Sequence, residues 1–215
     1  MSFVHRCEPL QGFLGRVRAK TPTLLLALGD SNTNNTGFTA GAKQWPELLH
    51  SRIKDACASQ TLLLVNAGVS GDAVTEVEAR YATDVYRFRP ELVILCLGSN
   101  DANRLDDEAF RAGMTRLLDR LDRDGAKILL RTPTPVWERQ PSRIWPDDAK
   151  LRAKVGIIRS LAEERALPFV DTYAWWRELE ARGELVMERL MTDEVHTNAA
   201  GHALVAEQLA AAFGV

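Results

Sequence analysis

Five short apolar runs constrain this chain more than any other feature. Residues 24–28, 62–66, 92–97, 128–131 and 168–171 are nearly continuous in Leu, Val, Ile and Ala, with no apolar–polar alternation in most of them. A strand of that kind is covered on both faces, which is the condition of a parallel sheet between two helical layers. The segments between the runs meet the same demand. Residues 44–58, 73–88, 107–123 and 148–166 carry apolar residues at helical spacing, and 199–213 adds a last helix. Gly125 stands just past the third of these helices, where a C-terminal cap belongs. Alternating strands and helices predict an α/β fold. With the common strand order 2-1-3-4-5, the loops after the first three strands would open into one crevice.

Two stretches depart from the alternation. Residues 132–147 hold Pro133, Pro135, Pro141 and Pro146 with Trp137 and Trp145, and residues 172–192 are helical in composition and carry Trp175 and Trp176. The first is long for an α/β connection, where about 2–6 residues is common. It is expected to wall the crevice, with Trp137 and Trp145 offering flat apolar faces to a substrate. Trp175 and Trp176 read as helix-packing residues.

At 215 residues and 46% hydrophobic, the chain can bury the core of one domain, with residues 1–20 as an N-terminal extension. A net charge of −2 with both signs interspersed leaves no footprint for nucleic acid. No apolar run approaches the ~20 residues of a membrane span. Cys7, Cys57 and Cys96 are odd in number and form no Cys-x-x-Cys pattern, a usage that fits a reducing cytoplasm, with Cys96 a buried thiol in its strand; a secreted protein whose signal has been removed is the alternative. Nothing in the sequence sets the oligomeric state.

The polar words fall where the crevice should be. Gly29-Asp30-Ser31-Asn32 follows the first apolar run and Gly98-Ser99-Asn100-Asp101 follows the third. Asp193-Glu194-Val195-His196 precedes the last helix. A serine hydroxyl becomes a nucleophile when a base takes its proton, and His196 with Asp193 three residues earlier is the candidate base and its orienter. The Ser31 and Gly71 backbone N–H groups and the Asn100 amide are candidate donors to an oxyanion. Asp101 reads as a capping residue. His5, His50 and His202 read as structural.

Together with Asn66-Ala67-Gly68-Val69-Ser70-Gly71-Asp72, these words resemble the four signature blocks of the SGNH/GDSL hydrolases, in that family's order and over about residues 24–213. The resemblance implies a flavodoxin-like three-layer α/β/α sandwich with a five-stranded parallel sheet. It implies hydrolysis of a small-molecule ester through Ser31, His196 and Asp193, an oxyanion hole from Ser31, Gly71 and Asn100, and neither metal nor cofactor. Asn32 stands where many members carry Leu. The Asn-Thr continuation is similar to the branch with carbohydrate and small-molecule esterases, and Asn32 joins Trp137 and Trp145 as a candidate substrate contact. Two alternatives share the architecture. An acyltransferase would pass the acyl group to an alcohol through the same acyl-enzyme. A flavin-binding module would use residues 31–37 as a phosphate loop, but would leave Gly71, Asn100 and His196 without a role.

Overall fold

A computed structural model of the protein describes residues 3–138 and 148–215. Its strands are β1 (Val4–His5), β2 (Thr23–Gly29), β3 (Leu62–Gly68), β4 (Leu92–Cys96), β5 (Lys127–Arg131) and β6 (Phe169–Val170). They form one sheet in the order β1-β6-β5-β4-β2-β3. The five strands legible in the sequence are β2 to β6. They lie parallel, in the predicted 2-1-3-4-5 arrangement.

The sheet has six strands rather than five. Val4 and His5 add an antiparallel edge against Val170 and Phe169. A two-residue strand is too short to leave a periodic signal, so this edge was invisible in the sequence. The segment expected as an extension also forms α1 (Glu8–Arg18). Its Leu10, Phe13, Leu14 and Val17 follow i, i+3, i+4, i+7 spacing and are buried in the core.

The doubly covered sheet explains the unbroken apolar runs. Successive residues of β2 point to opposite faces. Leu25 and Ala27 pack with α1, α2 (Trp45–Ala56) and α9 (Ala199–Phe213). Leu26 and Leu28 pack on the other face with α3 (Val74–Asp84), α5 (Asp107–Arg123) and α6 (Ala149–Glu164). Each fully buried Leu or Val contributes about 1.5–3 kcal/mol relative to exposure, so alternation in these strands would cost one of the two cores. Helix α5 shows the complementary pattern. Its buried Phe110, Gly113, Met114, Leu117, Leu118 and Leu121 repeat at helical spacing, and the Asp106 carboxylate caps its start by accepting the Ala109 N–H at 2.7 Å.

Residues 172–192 resolve into α7 (Thr172–Ala181) and α8 (Met187–Leu190). Trp176 is fully buried and Trp175 packs against the same core, so both serve helix packing. The last of the named helices, α4 (Asp101–Arg104), is a single turn after β4. The register aligns the carboxyl ends of the central strands, with Gly29 paired to both Gly68 and Cys96. Ser31, Gly71 and Asn100 therefore leave three adjacent strands at one end of the sheet.

Candidate active site

Ser31 lies two residues beyond β2 in a tight turn, where Thr33 and Asn34 N–H groups both bond to the Asp30 carbonyl. The Asp30 side chain closes the turn by accepting the Asn32 N–H at 2.9 Å. On the far side, α9 is capped by Asn198, whose Oδ1 accepts the Ala200 and Gly201 N–H groups. Gly201 packs directly on the Leu190 carbonyl, a place with no room for a Cβ. This cap and close approach fix the segment 191–197, and a Met191–Thr197 bridge ties its ends together.

That segment delivers Asp193 and His196 to Ser31. His196 Nε2 lies 3.0 Å from Ser31 Oγ, and His196 Nδ1 lies 2.7 Å from Asp193 Oδ2. Asp193 Oδ1 also accepts the Val195 and His196 backbone N–H groups, each at 2.8 Å. Partial burial would raise the Asp193 carboxyl, but the Val195 N–H, the His196 ring and the His196 N–H outweigh it and hold the group below the usual carboxylate range. An ionised Asp193 accepts a hydrogen bond from the Nδ1–H, which keeps the ring proton on Nδ1, so Nε2 is left as the acceptor and the Ser31 hydroxyl donates to it.

Phe38, which carried no sequence signal beyond being an isolated aromatic in a polar loop, stacks on the His196 ring at 3.6 Å between centroids and 10° between planes. The Thr192 hydroxyl donates to the Phe38 carbonyl at 2.9 Å, tying this loop to the base segment. One imidazole face is thereby covered, and the ring is held flat against a neighbour of favourable polarity for a developing imidazolium.

The candidate oxyanion donors are set by a separate network. Gly71 has φ +87°, a left-handed conformation that favours glycine, and among the described residues nothing occupies the space where a Cβ would project. Among the described residues, neither the Ser31 N–H nor the Gly71 N–H has an acceptor. The Asn100 amide donates to the Asp72 carbonyl at 2.9 Å, and its other partner among the described residues is Asp30 Oδ2 at 3.4 Å, a weak contact. Arg80 of α3, also missed in the sequence, clamps the strand ends from behind. It donates to the Gly29 and Ala67 carbonyls and to Asp72. Asp101 caps as expected, accepting the Val74 and Gly98 N–H groups.

Asn32 follows the serine but is 3% exposed, and its side-chain atoms have no partner among the described residues. Its carbonyl accepts the Trp45 indole N–H at 3.0 Å. Trp137 is half-buried, and its backbone N–H donates to the Glu194 carbonyl at 2.8 Å, which joins the loop after β5 to the segment carrying Asp193 and His196. Trp145 lies outside the described residues. His202 has a structural position. Its Nδ1 accepts the Trp45 N–H at 3.3 Å, and burial, aided by the Arg131 charge, lowers its pKa to about 4. His50 bonds to the Leu62 carbonyl at 2.9 Å and His5 stacks on Phe169. Asn35 turns its side chain to the Gly37 N–H and to Ser70.

A family model of the GDSL-like lipase/acylhydrolases matches residues 27–204, which span every element of this site. The chain belongs to that family. It is a serine esterase, a hydrolase of carboxylic esters. Among curated proteins it is similar to an acetylxylan esterase from Geobacillus stearothermophilus, with 30% identity over 156 residues, 66% of this chain and 68% of that protein. The fold is similar to the crystal structure of Axe2, an acetylxylan esterase from the same organism, at a TM-score of 0.76 and 24% identity, covering 90% of this chain and 94% of that one. It is also similar to LAE5, an α/β hydrolase enzyme from the metagenome of Lake Arreo, Spain, at a TM-score of 0.75 and 24% identity over 92% and 98% of the two chains.

Proposed function

We propose that Ser31, His196 and Asp193 form the catalytic triad and that the substrate is a short-acyl ester of a small, polar alcohol. The observation that carries this reading is the continuous chain from Ser31 Oγ through both imidazole nitrogens to Asp193, with links of 3.0 and 2.7 Å. Ser31 Oγ attacks the ester carbonyl as Nε2 takes its proton. The tetrahedral oxyanion accepts from the Ser31 N–H, the Gly71 N–H and the Asn100 amide. Collapse breaks the bond to the alcohol, which leaves with the proton from Nε2. Water then attacks the acyl-enzyme by the same route in reverse, and the free acid departs.

Support for a polar alcohol comes from the rim. Asn35 and Ser70 sit beside the nucleophile turn and the Gly71 loop, joined by a 3.3 Å bond, and offer amide and hydroxyl groups to a hydroxylated substrate. The acetyl esters acted on by the similar xylan esterases fit the same description. A panel of p-nitrophenyl esters of increasing acyl length, run beside acetylated sugars, tests it; preference for long acyl chains would overturn it. Adding an alcohol to the panel and analysing products separates hydrolysis from acyl transfer. Among the described residues no helix is long and apolar enough to cross a membrane. We propose a cytoplasmic location, which suits an odd number of cysteines with no Cys-x-x-Cys pattern, with secretion after removal of a signal as the alternative.

Asn100→Ala is expected to lower kcat about 10²–10³-fold with little change in KM, because the amide serves the oxyanion more than the ground-state carbonyl. An effect on KM alone would make Asn100 a binding or capping residue. Trp137→Ala is expected to change the ratio of kcat/KM between short and longer esters without a matching drop in melting temperature. Unchanged ratios in a folded variant would leave Trp137 as an anchor of its loop.

A further inference from the structure

Residues 69–71 are exposed, yet Gly71 carries one of the proposed oxyanion donors. The Asp72 N–H closes a turn on the Val69 carbonyl at 3.2 Å, with Gly71 third in the turn at the positive φ of a type II turn. The donor is thus the peptide N–H at the tip of an open turn. From one side the tip is met by a long bond between exposed groups, the Asn35 amide to Ser70 Oγ at 3.3 Å. An N–H that swings with such a tip serves an oxyanion only part of the time, because the stabilisation depends on a donor already in place.

The opposite side is held by α4. Asn100 precedes that helix with helical φ −71° and ψ −34°, so its side chain and that of Arg104, four residues on, leave one face of the turn. They grip consecutive carbonyls. The Asn100 amide donates to Asp72 at 2.9 Å, and Arg104 Nη1 donates to Gly71 at 2.8 Å. Arg104 Nη2 also pairs with Glu76 Oε1 of α3, so the guanidinium joins the turn to the helix that follows it. Glu76 is itself fixed, because its Oε2 accepts the Ala73 N–H at 2.9 Å. Burial would raise the Glu76 carboxyl, but Arg104, the Ala73 N–H and the Thr75 hydroxyl outweigh it and bring it to about 2, so the pair is ionised at neutral pH. The Arg104 and Glu76 side chains are 44% and 40% exposed. An ion pair this open adds little to stability, and its value lies in what it holds.

We propose that Arg104 is a positioning residue for ester hydrolysis: anchored by Glu76, its guanidinium fixes the Gly71 carbonyl and so keeps the Gly71 N–H aimed at the oxyanion. The carbonyl and the N–H leave the same Cα, so tying one limits the swing of the other. Helix α4 then serves the oxyanion twice, directly through the Asn100 amide and indirectly through Arg104.

The inference rests on the Ser31 reading above, and its test keeps the two apart. Values of kcat and KM are measured for the native protein, Arg104→Met, Glu76→Gln and the double variant, on a matched ester and thionoester. Arg104→Met keeps the length of the side chain and loses both bonds. Its kcat on the ester is expected to fall about tenfold with little change in KM, short of the ~10²–10³ for a donor removed outright. Sulfur is a weak acceptor, so the thionoester draws little from these donors and should lose much less than the ester. Glu76→Gln keeps an oxygen for the Ala73 N–H and gives up the charge that anchors Arg104, so a fall of about threefold is expected, the scale of an exposed ion pair. The double variant should be no slower than Arg104→Met, because Glu76 acts through Arg104. Melting temperatures should stay near the native value. A native kcat in Arg104→Met, a change confined to KM, equal losses on ester and thionoester, or losses that multiply in the double variant would overturn the proposal. So would failure of Arg104→Met to fold, since so open a pair adds little to stability. If Ser31→Ala still turns over the ester, the site reading falls; if it is inactive and Arg104→Met works at the native rate, only the role of Arg104 falls.

Discussion

Ser31→Ala is expected to abolish ester hydrolysis while leaving the protein folded. The substitution deletes one oxygen whose observed partner is His196 Nε2 at 3.0 Å. The backbone of the turn, held by Asp30 and by the Trp45 bond to the Asn32 carbonyl, does not depend on it. The loss should be about 10⁴-fold or more in kcat, as for other triad nucleophiles. The lost hydrogen bond should cost only about 0.5–1.5 kcal/mol of stability. Steady-state kinetics and a melting curve on the same sample check both halves. A serine-directed organophosphate should label Ser31 in the native protein and nothing in the variant. Native turnover by the alanine variant would refute the assignment of the whole site.

Asp193→Asn is expected to be nearly as damaging, through the proton on His196. The Asp193 Oδ1 accepts two backbone N–H groups from Val195 and His196. An asparagine would keep its carbonyl oxygen there and turn its NH₂ toward His196 Nδ1. The ring would then accept at Nδ1 and carry its proton on Nε2, where it cannot take one from Ser31. A fall of about 10⁴ in kcat is the scale of such a tautomer error. Asp193→Ala imposes no tautomer and should therefore be no worse than Asn despite removing more atoms. An Asn variant within a few-fold of native activity would show that another group orients the base.

The sequence revealed the features that repeat or alternate. Strands β2 to β6 were readable because burial on two faces demands unbroken apolar runs, and α5 because its periodicity is clean over 17 residues. The words around Ser31, Asn100 and His196 were readable because they combine the residue types acyl transfer needs and resemble, in order, the signature blocks of a known family. In the structure Asn198 caps α9 and Gly201 meets the Leu190 carbonyl, which fixes the last of those words. What escaped was long-range and unrepeated. Phe38 meets His196 across 158 positions, Arg80 reaches three carbonyl or carboxylate groups on two strand ends and a loop, and β1 is two residues long. None of these leaves a local pattern, since each is defined by a partner far away in the chain.

The link between Ser31 and His196 spans 165 positions, and the helix that steadies the base docks on α2 through the bond from Trp45 to His202. The proposed nucleophile and oxyanion donors belong to the first half of the chain, the proposed base to the segment just before its last helix. On the proposed reading, a chain whose α9 has not docked lacks the His196 placement that Ser31 needs. Recovery of catalysis after dilution from denaturant consequently times the arrival of that last helix. Far-UV circular dichroism times the bulk of the helices and strands, and the lag between the two signals measures how long the protein exists as a folded body without a trade.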